Sequence, residues 1–85
     1  MGRAHLETIL FVDDDPELRA IAATALAAPG CAILTASDGY EAIRILADHW
    51  VSLLITDIKM PDINGFELAR QARVMRPNIN GAHCS

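Results

Sequence analysis

The sequence predicts an α/β domain in which strands and helices alternate and the strands form a parallel sheet. Three short apolar runs are each typical of a buried strand, and each is followed by a segment with apolar residues at helical spacing. Because parallel neighbours need a crossover connection, this β-α-β-α-β-α order indicates right-handed crossovers over one sheet. The predicted strands span residues 8–12, 31–36 and 51–57, and the predicted helices span residues 16–28, 39–48 and 65–75.

Length and composition restrict the function classes. The 85 residues allow one small domain, and 52% hydrophobic with 21% charged residues is typical of a globular protein. The net charge of −4 argues against non-specific nucleic-acid binding, which needs a basic surface. No segment is long enough to span a membrane, and Cys31 and Cys84 lack the spacing of a disulfide framework. We therefore expect a cytoplasmic protein with free thiols.

The first strand ends in a cluster of acids. The apolar run Ile9–Val12 is followed directly by Asp13, Asp14 and Asp15, and then by Pro16. Proline is favoured at the first position of a helix, so Asp15 is the predicted N-cap. The acids therefore belong to the carboxyl end of a buried strand, which is the edge where open α/β sheets bind ligands.

The first helix and second strand follow from spacing and from turn residues. Apolar residues recur at i, i+3, i+4 and i+7 from Leu18, which is the helical pattern. Pro29 and Gly30 end that pattern. The run Cys31–Ala36 then contains β-branched residues and predicts a short strand.

Capping motifs mark the start of the next two helices. Asp38 is followed three residues later by Glu41, and Asn64 is followed at the same spacing by Glu67. Both pairs match the capping box, in which the side chain of each residue accepts a hydrogen bond from the backbone of the other. Pro77 ends the third helix.

The third strand also ends on a carboxylate. The apolar run Val51–Thr56 leads to Asp57. If the first and third strands are neighbours, about 4.8 Å apart, Asp57 faces Asp13 and Asp14 across a narrow crevice. Carboxylates so close repel one another unless a cation neutralises them, and hard oxygen ligands in small number suit Mg²⁺. The sequence thus predicts a magnesium site at this edge.

Three stretches of the chain together resemble the receiver domain of two-component response regulators. They are Ile9–Asp14, Ala36–Ala42 and Asp57–Gly65, the last with its Met-Pro pair. The acid pair, the lone aspartate and the Met-Pro…Gly loop at these separations form a specific signal, and the similarity covers residues 8–79. The resemblance implies a flavodoxin-like sheet with strand order 2-1-3 for the three βα units that the sequence predicts.

The resemblance also implies a function. Asp57 corresponds to the family's phosphoryl acceptor, which is served by the phosphohistidine of a sensor histidine kinase or phosphotransfer protein. Asp14 would ligate Mg²⁺ directly, Asp13 would act mainly through water, and the backbone carbonyl of Lys59 would supply a further oxygen. Such a chain is a signalling domain rather than an enzyme, and we expect no nucleic-acid or membrane partner.

The sequence departs from the family pattern near its end. The family fold has five strands and five helices, with a Thr or Ser after the fourth strand and a Lys after the fifth. Only three βα units are predicted here, which indicates a truncated receiver domain over residues 1–79 and an irregular tail over residues 80–85. In that interpretation no strand precedes Ser85, and output switching is impaired. The third strand becomes an unprotected edge, which predicts a homodimer or larger assembly through this edge, or a partly ordered monomer. The first helix also keeps apolar surface exposed.

Other interpretations of the same residues remain open. The chain could be an interaction or dimerisation fragment that never accepts a phosphoryl group. Asp13 and Asp15, after a buried strand, also resemble the nucleophile loop of haloacid-dehalogenase-type phosphatases, although Pro16 and Glu17 fit that motif badly. Finally, the three consecutive acids could serve only as helix-capping and dipole-complementing residues.

Overall fold

Four parallel strands alternate with three helices over residues 7–57 and 63–84, which are the residues that the computed structural model describes. The strand order is β2-β1-β3-β4, so the α/β class and the predicted 2-1-3 order are confirmed within a larger sheet. The elements are β1 (Glu7–Val12), α1 (Pro16–Ala25), β2 (Cys31–Ala36), α2 (Gly39–Asp48), β3 (Leu53–Asp57), α3 (Gly65–Met75) and β4 (Asn80–Cys84).

The fourth strand corrects the predicted irregular tail over residues 80–85. β4 pairs in parallel with β3 from Leu53 opposite Asn80 to Asp57 opposite Cys84. The sequence did not indicate this strand because Asn, Gly and Ala are poor strand formers and do not alternate in polarity. Pairing with β3 stabilises this strand instead. Without β4, the backbone N–H and C=O groups on that side of β3 would lack hydrogen-bond partners.

This pairing overturns two further predictions. β3 lies between β1 and β4, so it is not an edge, and a homodimer through the strand-three edge was the wrong expectation. The sheet edges are instead β2 and β4. The prediction that no strand precedes Ser85 was also wrong, because β4 ends at Cys84, although Ser85 itself lies outside the described residues.

All three helices begin at the capping residues that the sequence predicts. In each case the side-chain oxygen of the capping residue accepts a hydrogen bond from a backbone N–H of the first turn, which stabilises a helix by about 1 kcal/mol. The bonds run from Glu17 N to Asp15 at 2.9 Å, from Glu41 N to Asp38 at 2.7 Å and from Glu67 N to Asn64 at 2.8 Å.

The first helix is shorter than its apolar spacing predicts. It ends at Ala25 rather than near Ala28, and Ala28 instead forms an isolated bridge with Cys31, whose N–H donates to the Ala28 carbonyl at 3.0 Å. Gly30 has a φ of 78°, a left-handed conformation that favours glycine. The turn into β2 therefore uses residues that the helical pattern had assigned to the helix.

The main core lies between the sheet and the layer formed by α2 and α3. Right-handed crossovers put α1 on the opposite face of the sheet, where it contacts β1 and β2. Within the described part of the chain, the main core cluster contains no residue of α1. Its members are Leu10, Val12, Ala36, Ala42, Leu46, Val51, Leu54, Leu68, Ala69, Ala72 and Ile79.

The α1 side of the molecule is less well covered. Leu18 and Ile21 of α1 are 45% and 61% exposed, which confirms the expectation of exposed apolar surface on the first helix. Phe11 on the same side of β1 is only partly buried, whereas its neighbour Val12 is fully buried. None of the helices over residues 7–57 and 63–84 combines the length and apolarity that crossing a membrane requires.

Candidate functional site

The acidic turn after β1 lies at the carboxyl edge of the sheet, as predicted. Asp13 is buried, with 7% of its surface exposed, whereas Asp14 is exposed. The Asp13 N–H donates to the carbonyl of Ala36 at 3.1 Å, and its Oδ1 accepts a hydrogen bond from the Asp15 N–H at 2.9 Å. Two bonds thus hold Asp13 at the base of the turn, and Asp14 stands at its outer rim.

A basic side chain of α1 forms a hydrogen bond to the same turn. Nη1 of Arg19 donates to the backbone carbonyl of Asp13 at 2.7 Å. Sequence reasoning missed this contact, because Arg19 belongs to the first turns of a helix and its spacing indicates only a polar face. The signal that could have found it is a long cationic side chain close in sequence to three acids.

Asp57 reaches the same edge through the register of the sheet. β1 and β3 pair in parallel with Val12 opposite Thr56, so Asp13 and Asp57 each follow a paired position on neighbouring strands. The backbone of Asp57 is the last position of β3. Its side chain and the whole of Lys59 lie outside the described residues, so the structure brings together Asp13, Asp14 and the main chain of Asp57.

The donor chemistry at this edge suits a small hard cation. Among the side chains that the structure describes, which exclude that of Asp57, no three His, Cys, Asp or Glu side chains could hold a metal ion together. Carboxylate oxygens from Asp13 and Asp14 are nevertheless of the type that Mg²⁺ binds, one or two at a time, while water completes its coordination. Asp15 takes no part in this, since its side chain caps α1.

The β2–α2 turn borders the acidic turn and is held by Glu41. The Glu41 Oε1 accepts hydrogen bonds from the Ser37 N–H at 2.7 Å and from the Ser37 hydroxyl at 2.9 Å. These bonds, the backbone one foremost, lower the pKa of Glu41 below its ordinary value of 4.5, and the charges of Arg44 and Arg19 act in the same direction. Asp38 caps α2 beside them, so this turn is rigidly bonded next to the site.

Only half of each predicted capping box forms. Glu41 bonds to Ser37, one residue before the cap, and Glu67 pairs with Arg70 and accepts a hydrogen bond from Gln71 at 3.2 Å. These contacts, led by the hydrogen bond from Arg70, lower the pKa of Glu67. A glutamate in the first turn can therefore accept hydrogen bonds from several nearby donors. The sequence spacing alone does not predict which donor it binds.

Comparison with known proteins agrees with this geometry. The model of the response regulator receiver domain family matches residues 9–83. A probable transcriptional regulator of Porphyra purpurea, ycf27, is 37% identical over 67 residues, which are 79% of this chain and 28% of the regulator. The chain therefore spans less than a third of the length of this curated relative.

Solved structures of receiver proteins superpose closely. A CheY-like receiver domain protein from Methanospirillum hungatei JF-1 has a TM-score of 0.86 at 29% identity, covering 92% of this chain and 62% of that one. The response regulator TrrA of Thermotoga maritima, solved in complex with Mg²⁺-BeF, has a TM-score of 0.81 at 34% identity, covering 89% of this chain and 66% of that one. A complex of TrrA with the histidine kinase ThkA has a TM-score of 0.82 at 33% identity, covering 92% of this chain and 67% of that one.

The family model covers almost the whole chain, and the fold and acidic edge match those that its sequence motifs predict. This chain therefore belongs to the receiver domain family of response regulators, the signalling domains of two-component systems.

Proposed function

We propose that this chain accepts a phosphoryl group on the carboxylate of Asp57. The observation that carries the proposal is the parallel register of β1 and β3, with Val12 opposite Thr56, which brings the backbone of Asp57 beside the acidic turn. A carboxylate oxygen of Asp57 attacks the phosphorus of a phosphohistidine, and the P–N bond breaks as the acyl phosphate forms. The electron pair of that bond returns to the imidazole nitrogen of the donor.

Magnesium is the cation that we propose for this site. Asp13, Asp14 and Asp57 would hold it together with the backbone carbonyl of Lys59, and it would neutralise charge on the phosphoryl oxygens. Buried Asp13 is fixed by its own hydrogen bonds, whereas exposed Asp14 is free to reach a ligand in solvent. The Mg²⁺-BeF complex of TrrA supports this assignment, because that protein is 34% identical to this chain.

The phosphodonor that we propose is a sensor histidine kinase or a phosphotransfer protein. TrrA has been solved with the histidine kinase ThkA, and that complex contains a fold that superposes on this chain. A donor of this class has to approach the carboxyl edge of the sheet, where Asp14 is exposed.

The residue that follows β4 in the sequence carries a hydroxyl group. The family carries a Thr or Ser after its fourth strand, and Ser85 directly follows Cys84, the last residue of β4. Asp57 and Cys84 are register partners at the ends of β3 and β4. From its place in the sequence directly after β4, we propose Ser85, which lies outside the described residues, as the hydroxyl-bearing residue for the phosphoryl group.

A second candidate function is an interaction module that accepts no phosphoryl group. The exposed apolar side chains of α1, Leu18 and Ile21, favour contact with another protein. The two candidates differ in one chemical property, which is whether Asp57 is covalently modified.

Intact-mass measurement after incubation with Mg²⁺ and acetyl phosphate tests the proposal. We expect the mass of one phosphoryl group to be added, and Asp57→Asn to abolish the addition. Asp48→Asn, at an exposed position at the end of α2, is the matched control and should be modified like the wild type. Chelation of Mg²⁺ should prevent the addition, and an unmodified wild-type chain would favour the interaction module.

A further inference from the structure

Arg19 lies at a position in α1 where the helix dipole disfavours a positive charge. α1 begins at Pro16, so Arg19 is its fourth residue and lies near the positive end of the helix dipole. Its side chain is only partly exposed and is directed to the acidic turn, where Nη1 bonds to the Asp13 carbonyl at 2.7 Å. A local contact therefore offsets a location that the helix itself disfavours.

The carbonyl that Arg19 holds belongs to the peptide unit that joins Asp13 to Asp14. The other two bonds of Asp13, through its N–H and its carboxylate, fix the residue on the strand side and inside the turn. The bond from Arg19 restrains the plane of the next peptide. The direction in which the Asp14 side chain leaves the backbone depends on that plane.

The charge of Arg19 also acts on the neighbouring turn. Its charge contributes to lowering the pKa of Glu41, the carboxylate that holds the β2–α2 turn through Ser37. The guanidinium thus hydrogen-bonds to the main chain just after β1 and also acts electrostatically on a fixed acid after β2.

We propose that Arg19 is a positioning residue for the metal-binding acids. It acts through the Asp13–Asp14 peptide and holds the Asp14 carboxylate in the direction that a Mg²⁺ ion at this edge needs. The inference rests on the proposed function, because it assumes that Asp13 and Asp14 are magnesium ligands. It assigns no contact between Arg19 and the metal.

The charge and the positioning effect of Arg19 have opposite signs, which makes the proposal testable. Removing a cation near a Mg²⁺ site lowers repulsion and should strengthen metal binding. Removing a group that orients a ligand should weaken it, typically by about tenfold or more. Weaker Mg²⁺ binding by a folded variant without the charge therefore has the opposite sign to the charge effect and indicates lost positioning.

Isothermal titration of Mg²⁺ into the phosphate-free chain measures the effect. We expect Arg19→Gln to weaken Mg²⁺ binding by about tenfold. Arg44→Gln, which removes an exposed cation from α2, is the matched control and should bind Mg²⁺ as tightly as the wild type or slightly more tightly. Arg19→Lys retains a donor and the charge and should recover most of the lost affinity, so it also serves if Arg19→Gln fails to fold.

The possible results distinguish a failure of the positioning role from a failure of the proposed function. If the wild-type chain binds no Mg²⁺, the assignment of the metal site fails, and the positioning role fails with it. If the wild type binds Mg²⁺ and Arg19→Gln binds equally or more tightly, only the positioning role is overturned. A metal-free readout checks the same point: amide hydrogen exchange at Asp15, whose N–H donates to the Asp13 carboxylate inside the turn, should accelerate in Arg19→Gln and remain unchanged in Arg44→Gln.

Discussion

The Glu41 carboxylate shows at the scale of one residue what a capping motif predicts. The Asp38–Glu41 spacing correctly predicts the cap, since Asp38 accepts a hydrogen bond from the Glu41 N–H. It does not predict the partner of the Glu41 side chain, which accepts two hydrogen bonds from Ser37. Spacing fixes the backbone geometry of a helix start, whereas the side chain selects the nearest unpaired donors, and these depend on the incoming turn.

The lowered pKa of Glu41 predicts a pH dependence of stability. Hydrogen bonds from Ser37 hold this pKa below 4.5, so folding favours the charged carboxylate. Its contribution is fully present above the unfolded pKa of 4.5 and is lost as the pH falls through the lower folded value. We expect Glu41→Gln to lower the free energy of unfolding by about 1 kcal/mol at neutral pH, because a hydrogen bond to a charged group becomes one to a neutral amide.

Urea denaturation between neutral and acidic pH measures this difference. The gap between the wild type and Glu41→Gln should narrow as the pH falls below the ordinary glutamate value. Glu7→Gln, at the exposed start of β1, is the matched control and should show no such gap. A gap that stays constant down to acidic pH would contradict the role of the charge.

At the scale of elements, the sequence predicted six of the seven that lie in residues 7–57 and 63–84, and it missed β4. The six have a hydrophobic pattern or a capping residue of their own, and β2, α2 and α3 have the predicted bounds. β4 has neither signal, and it exists because β3 offers a parallel partner. Local patterns therefore predict elements that carry their own signal, whereas a strand stabilised by its neighbour requires the tertiary fold.

The same reasoning predicts that β4 can be strengthened at Gly81. A Cβ added to Gly81 would meet no atom within 4 Å, and its φ is not positive. Gly81→Ala should therefore raise the free energy of unfolding by about 0.4–1 kcal/mol, mainly by restricting the unfolded chain. Gly30 has a φ of 78°, so Gly30→Ala is the contrasting variant and should lower it by about 1 kcal/mol or more.

Chemical denaturation of both glycine variants tests β4 directly. A stabilising Gly81→Ala together with a destabilising Gly30→Ala is the expected pair of results. If Gly81→Ala left the stability unchanged or lowered it, residues 80–84 would not be held as a strand in solution.

At the scale of the whole molecule, the two faces of the sheet are unequal. One face is covered by α2 and α3 and carries the main core cluster, whereas the other is covered by α1. The family resemblance predicted exposed apolar surface on α1, whereas the apolar strands alone did not predict the imbalance, because a continuous apolar run gives no indication of which helices cover each face. The acidic residues lie at the carboxyl ends of β1 and β3, at the edge of the sheet. Their geometry therefore depends on strands that are firmly packed on the α2–α3 side only.

Two adjacent residues of β3 make this imbalance measurable. Leu54 is 1% exposed and lies on the α2–α3 side, opposite Leu10 in the register, while Ile55 is only partly buried on the α1 side, opposite Phe11. Leu54→Ala should lower the free energy of unfolding by about 2–5 kcal/mol, the usual cost of a fully buried leucine. A domain of this size has a total stability of about 4–13 kcal/mol, so this variant should be close to unfolding.

Ile55→Ala is the matched variant on the opposite face. It removes a similar apolar volume from the same strand, yet it should cost about half as much or less, because the isoleucine remains partly in contact with water in the folded state. Urea denaturation of both variants decides the point. Equal losses would mean that the α1 face is packed as tightly in solution as the other, and that another part of the protein or a second molecule covers it.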